Sequence, residues 1–255
     1  MKILVLVKEV PDTYGERRLD LETGYLDRES GEQVVDEIDE RALEVALQIK
    51  DSDKSTEVVV ATLGPESAKD ALRKCLSMGA DSAVHVLDDA LAGSDTLRTA
   101  QALAAVARRV GFDAIIAGNE STDGRGGVVP AMVAELLGLP LVGNLSSVDL
   151  TATSVRGVQA TAAATATLSS SLPAVITITE KSAEARFPNF KGIMTAKRKP
   201  LEALTRADLG LEESAAASEV LSVAERPSRA AGSVITDEGD AGAKIVAFLR
   251  ERKAI

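Results

Sequence analysis

The residues with the clearest chemical potential in this 255-residue chain stand between Gly118 and Pro140. They read Gly118-Asn119-Glu120-Ser121-Thr122-Asp123-Gly124-Arg125-Gly126-Gly127-Val128-Val129-Pro130, then run through apolar residues to Gly138-Leu139-Pro140. A buried-strand signal over 112–117 precedes them. A helix signal over 128–137 follows, with Pro130 in the first turn, where a missing N–H costs little. A helix start carries N–H groups without helical partners and the positive end of the helix dipole. Gly124, Gly126 and Gly127 let such a backbone approach a ligand without Cβ clashes. That is anion-binding chemistry, and a phosphate is the natural guest. The turn is neither Gly-x-Gly-x-x-Gly nor a P-loop, because no Gly-Lys-Ser/Thr follows. Similar turns join strands to helices in α/β proteins that bind nothing there, so the turn alone leaves both readings open.

Other chemistry has little material. Cys75 and His85 are the only residues of their types, too few for a zinc site or a Cys/His nucleophile pair. Cys75 falls in a helix pattern and reads as a small core residue, while His85 falls in a strand. One cysteine allows no internal disulfide, which suits the cytoplasm. The net charge of −10 makes nucleic acid and anionic membranes poor partners. No tryptophan is present, so a base-stacking platform is not expected. The first seven residues are too short for a secretory leader and read as a first strand. No run reaches membrane-spanning length, so direct membrane insertion is not expected. No triad, metal set or paired carboxylates suggest a catalyst acting alone.

The elements that must position the glycine-rich turn come from the alternation of the first two-thirds. Short β-branched runs at 2–8, 57–63, 82–87 and 114–118 read as buried parallel strands. Helix patterns lie near 37–50, 67–78 and 95–110, the second stopped by Gly79 and the third capped by Ser94. This predicts an α/β fold with a doubly wound, mostly parallel sheet, whose ligands bind at the carboxyl ends of the strands. Residues 10–35 are an excursion with a hairpin over 18–27 turning at Thr23-Gly24. Residues 147–168 read as a β-hairpin or edge ribbon, 173–179 as another buried strand, and 180–200 as a basic loop. Residues 211–231 read as a linker, and 237–253 as an amphipathic helix with Ile245, Val246, Phe248 and Leu249 on its apolar side. By itself, that helix is expected to fold back onto its own domain.

The chain from end to end resembles the β (small) subunit of electron transfer flavoprotein. The resemblance rests on Ile3-Leu4-Val5-Leu6-Val7-Lys8 with Val10-Pro11-Asp12, and on the helix from Asp36 to Lys50 followed by Leu63-Gly64-Pro65 and 71–81. It continues through 118–140, through Arg186-Phe187-Pro188-Asn189-Phe190-Lys191-Gly192-Ile193-Met194 to Lys199, and through Arg226-Pro227 to Gly232. It implies a Rossmann-like fold of the adenine nucleotide alpha hydrolase type, with a β-hairpin extension and a C-terminal arm. It divides the chain into a nucleotide-binding domain, 1–210, with a partner-recognition loop, 178–200, and a linker with an arm helix, 211–255, docking on the α subunit.

The family's α subunit holds most of an FAD. That flavin shuttles electrons singly from acyl-CoA or other flavin dehydrogenases, as in fatty acid β-oxidation, to a quinone reductase. The β subunit is not a catalyst alone and holds AMP in a structural role. Carried onto this sequence, the AMP site is Leu6, Asp36, Glu37, Ile38, Asp39, Leu63 and Gly118 to Val129. Asp36 stands where the family often has Asn, and a carboxylate can only accept from adenine. Asp123 is left between accepting from a ribose hydroxyl and capping the helix. The recognition residues implied are Arg186, Phe187, Phe190, Ile193 and Met194, with Phe190 as the anchor. Lys191, Lys197, Arg198 and Lys199 read as a solvated rim. The alternative is that Phe187 and Phe190 pack the loop down. Where relatives carry an acidic side chain near the flavin, this chain has Ala160, after Gln159. Two other readings stay open: a bifurcating relative with a second FAD replacing AMP, and a stand-alone adenine-nucleotide-binding protein.

Overall fold

The computed structural model describes residues 1–28, 31–213, 216–228, 232, 234 and 236–255. Part of the segment from Arg226 to Gly232 lies outside them. The chain begins with β1 (Lys2–Leu6), and an excursion carries β2 (Glu9–Pro11) and β3 (Gln33–Val35). Then come α1 (Glu37–Ser52), β4 (Glu57–Leu63), α2 (Ala68–Met78), β5 (Ser82–Val86), α3 (Thr96–Val110), β6 (Ala114–Gly118) and α4 (Val129–Leu137). An antiparallel ribbon follows, β7 (Leu141–Leu150), β8 (Ser154–Ala160) and β9 (Thr165–Ser171). The remaining elements are β10 (Ala174–Ile178), α5 (Phe190–Ala196), β11 (Leu201–Leu204) and α6 (Ala241–Glu251). The chain divides into two units, Met1–Ser222 and Val223–Ile255.

The main sheet has the order β11-β5-β4-β1-β6-β10-β7-β8-β9. It is parallel from β11 to β7 and antiparallel only in the ribbon. The short, mostly apolar strands explain the parallel centre, since both faces are covered. Ile3, Val5, Val58 and Val60 pack with α1 and α2 on one face. Leu4, Val59, Ala61 and Ile115 pack with α3 and α4 on the other. The order reverses at the β1–β6 boundary, so β1 and β6 flank the switch point where doubly wound sheets hold ligands. The glycine-rich turn leaves β6 at that place.

Several local expectations are refined. The hairpin at 18–27 is a single bridge, Leu19 to Leu26, turned by Gly24 in the left-handed region. Asp95, not Ser94, caps α3, because its carboxylate accepts from the Arg98 N–H at 2.8 Å. Ser94 instead turns back to the Leu91 carbonyl. The ribbon has three strands, and its first, β7, starts at Leu141 in parallel with β10 before pairing antiparallel with β8 from Leu145. The stretch 180–200 is not all loop, because 190–196 forms α5. In the second unit α6 is helical, and Ile245, Val246 and Phe248 are exposed.

Candidate functional site

Two carboxylates of α1 build the floor of the site at the switch point. Asp39 is buried, and its two oxygens accept from the N–H groups of Lys8 (2.9 Å) and Gly118 (3.0 Å). It thus ties the end of β1 to the end of β6. Burial, with the neighbouring Asp36, pushes the Asp39 carboxyl well above the usual carboxylate range, although the two N–H donors oppose this. Gly118 has to be glycine, because a Cβ there would lie 2.7 Å from Asp39 Oδ1 and 3.0 Å from Ile38 Cγ2. Asp36 is fully buried and caps α1 through the Ile38 N–H at 2.9 Å. Its other oxygen accepts from the Thr122 N–H (2.6 Å) and hydroxyl (2.8 Å), which holds the turn down on the helix start. Of this stretch, Glu37 is exposed and Ile38 is buried.

The turn is tied from the other side as well. Lys8 Nζ donates to Asp123 Oδ1 at 2.8 Å, and Arg17 donates to the carbonyl of Thr122 and, at 3.0 Å, to its hydroxyl. Asp123 is nearly enclosed, with 5% of its side chain exposed. Burial alone would raise its carboxyl, but Lys8, Ser121 and the Gly124 N–H outweigh that and hold it below the usual range. Asp123 does not cap α4, since the capping position is Val128 with no side-chain bond. Neither Lys8 nor Arg17 was among the sequence-based candidates. Lys8 could have been found, because a lysine ending the first parallel strand must lie at the carboxyl edge. Arg17, within the excursion, gives no such signal.

Past Asp123 the backbone opens. Residues Gly124 to Val128 are exposed, and the exposed Arg125 side chain pairs with Glu120 at 3.9 Å. Arg125 and Gly127 have positive φ, 50° and 63°. Among the described residues, the N–H groups of Gly126, Gly127, Val128 and Val129 have no hydrogen-bond acceptor. A Cβ on Gly126 would meet nothing within 4 Å. An uncapped, nine-residue helix therefore starts behind an open row of donors. Nearby, Asn119 Oδ1 is buried without a hydrogen-bond partner among the described residues, just past the end of β6. Ser121 Oγ lies 3.4 Å from Lys8 Nζ, Leu6 is buried at the end of β1, and Leu63 is half-buried at the end of β4. The residues present fit a nucleotide: an apolar edge for a base, an orphaned acceptor, and free N–H groups for a phosphate. Among the described residues no group of histidine, cysteine and acidic side chains could hold a metal ion.

The segment 186–199 forms a second surface. Arg186 forks onto Glu44 (2.6 and 3.0 Å) and reaches Asp51 (2.8 Å), so its guanidinium anchors the segment on α1. Phe187 and Phe190 do not pack the loop down: they are 95% and 79% exposed. Ile193 and Met194 are exposed beside them on α5. Asn189 caps α5 through the Gly192 N–H at 2.8 Å. Gly192 allows α5 to lie against α2, since a Cβ would sit 2.2 Å from the Ser77 carbonyl oxygen. Lys191, Lys197 and Arg198 are exposed, but Lys199 is half-buried and donates to the carbonyls of Leu76 (2.9 Å) and Ala80 (2.5 Å). It is therefore part of the anchor rather than a solvated rim, and burial lowers its ammonium from the ordinary value. Ala160 ends β8, exposed and opposite Thr165.

Known proteins resemble this chain along its length. Residues 23–209 match the family described as the electron transfer flavoprotein domain. The chain is 48% identical to an electron transfer flavoprotein subunit beta of Mycobacterium leprae and 47% identical to one of Mycobacterium tuberculosis, over 99% of both chains in each case. It is 32% identical to the caffeyl-CoA reductase-Etf complex subunit CarD of Acetobacterium woodii, over 100% of each.

Proposed function

We propose a function from one premise: the chain belongs to the electron transfer flavoprotein family, as a beta subunit. In this reading it pairs with an alpha subunit and carries electrons from acyl-CoA or other flavin dehydrogenases toward a quinone reductase. The flavin, an FAD held mainly by the alpha subunit, supplies one-electron chemistry. This chain's residues bind, position and dock. The open N–H row from Gly126 to Val129 cradles the phosphate of AMP, and it is the observation that carries the reading. Leu6 and Leu63 flank the base, and Asn119 Oδ1 accepts from a ligand hydroxyl or amine. Asp36, Asp39, Lys8 and Arg17 hold the cradle in shape without touching the ligand. AMP is thus a structural ligand that stabilises the folded subunit by mass action. Ala160 brings no charge, so flavin tuning in this complex does not draw on a carboxylate there.

The recognition helix presents Phe190, with Ile193 and Met194, to the electron donor. An exposed aromatic on a helix locked by Gly192 and Asn189 gives contact area at small entropic cost. Phe190→Ala is expected to weaken docking of the donor dehydrogenase more than tenfold, the loss of about 2 kcal/mol at a hot spot. Stopped-flow reduction of the complex as a function of dehydrogenase concentration reads this directly, and an unchanged half-saturation would remove Phe190 from the interface. The arm helix, with Ile245 and Phe248, docks on the alpha subunit.

The cradle is tested by Gly126→Asp. The position has ordinary φ and open space, so the substitution adds a carboxylate without strain. Repulsion of a phosphate there is expected to lower the AMP content of the purified complex at least about tenfold, with FAD content unchanged. Equal AMP content in both proteins would place the phosphate elsewhere.

A further inference from the structure

We propose that the first unit carries a second ligand site, for a small dicarboxylate, in a cavity beside α3. The cavity is about 350 Å³, at the small end of the range for ligand pockets. Arg98, Gln101 and Arg108 of α3 line it, together with Arg206 from the turn after β11. Their spacing on α3 puts them along one helix face. None belongs to the nucleotide turn or the recognition segment.

The charge of the cavity runs against that of the chain. Three guanidiniums line it against two carboxylates, Glu212 and Glu213, a local excess of one positive charge in a chain of net charge −10. The one guanidinium that these two carboxylates leave unmatched favours a further anion in this partly enclosed space. Two of the three are fastened at the ends of the cavity. Arg98 donates to the Ala90 carbonyl at 3.0 Å, and Arg108 donates to the carbonyl of Leu136 at the end of α4. Each guanidinium carries five N–H donors, so one such bond leaves others to turn inward. Arg206 is the unsatisfied member. Its Nη1 is buried without a hydrogen-bond partner among the described residues. The Glu213 carboxylate, 87% exposed, forms an ion pair with it at 3.8 Å, too long for a hydrogen bond. A buried guanidinium N–H without an acceptor is costly, and an incoming carboxylate removes the cost.

The shape selects the ligand. Arg98 and Arg108 are about 15 Å apart along the helix, so they face the cavity from opposite ends. Leu91, Ala104, Leu136 and Leu211 give it apolar walls. An extended diacid with a short hydrocarbon body matches charged ends and apolar walls better than a compact phosphate does.

The test uses the complex with its alpha subunit, saturated with AMP so that the nucleotide turn is occupied. Glutarate is titrated at constant ionic strength, with chloride and inorganic phosphate as comparison anions, and the melting temperature is followed. The expected result is a saturable rise with glutarate that neither comparison anion reproduces. Arg206→Gln is expected to raise the glutarate concentration at half-effect at least tenfold while AMP and FAD contents stay unchanged. Arg206→Lys, which keeps the charge but not the planar fork, should fall between. Equal responses to glutarate and chloride would overturn the site, and so would an unchanged titration in the glutamine variant. A response to phosphate as strong as that to glutarate would overturn the dicarboxylate assignment.

Discussion

Asp36→Ala is expected to destabilise the subunit by about 3–5 kcal/mol and to strip AMP from the complex. The magnitude follows from what the carboxylate does. It is fully buried and accepts three hydrogen bonds, from the Ile38 N–H, the Thr122 N–H and the Thr122 hydroxyl. Losing the helix cap costs about 1 kcal/mol. Leaving the two Thr122 donors without an acceptor costs about 1–3 kcal/mol for each that stays buried. That is a large share of the total stability of an ordinary domain. Arg17 still holds the Thr122 carbonyl, so the turn remains tethered at one side and the fold survives. The N–H row downstream loses its fixed position, and AMP affinity falls with it. Asp36→Asn should be milder, at about 1–2 kcal/mol, since the amide oxygen can keep one bond while its NH2 can still donate to the Thr122 hydroxyl. Chemical denaturation of the complex, with nucleotide content measured alongside, checks both variants. An alanine variant with unchanged stability and AMP content would show that Asp36 does not hold the turn.

Gly192→Ala is expected to separate docking from nucleotide binding. The added Cβ would sit 2.2 Å from the Ser77 carbonyl oxygen, a backbone atom that cannot rotate away. α5 must therefore lift from α2, at about 1–3 kcal/mol for an overpacked contact. The Arg73 bonds to the Ala196 carbonyl (2.8 Å) and the Lys199 carbonyl (3.2 Å) stretch with it. Phe190, Ile193 and Met194 then leave their fixed places. Reduction by the donor dehydrogenase should slow by more than tenfold, while AMP and FAD contents match the parent. Normal reduction kinetics with a lowered melting temperature would make the α2–α5 contact merely structural.

Much of this architecture was legible in the residues. The parallel strands announce themselves as short runs of Val, Ile and Leu, because a strand covered on both faces needs no polar alternation. The glycine-rich turn was legible for the same local reason: glycine, proline and a following apolar period mark a strand-to-helix switch. What the sequence hid depends on contacts distant along the chain. α5 is seven residues long and is held by Gly192 against α2, more than a hundred residues earlier, so its own periodicity is too brief to read. Lys199 looks like a surface lysine until the carbonyls at the end of α2 are in place beside it. Arg17 reaches Thr122 across 105 residues, and nothing near either residue signals the pairing. Asp36 and Asp39 were read as ligand contacts through a resemblance. Their oxygens also accept from backbone N–H groups and a threonine, pairings that no signal in the sequence announces. The choice of Ser94 over Asp95 was a contest between adjacent capping residues, and geometry alone decides such a contest.

The most direct test of the central claim is the nucleotide content of the purified complex. Denaturing it and separating the released nucleotides is expected to yield one AMP and one FAD for each pair of subunits. Two FAD with no AMP would contradict the cradle's proposed occupant and make this a subunit with two flavins. Purification of the chain alone, soluble and loaded with ATP, would contradict the carrier reading altogether.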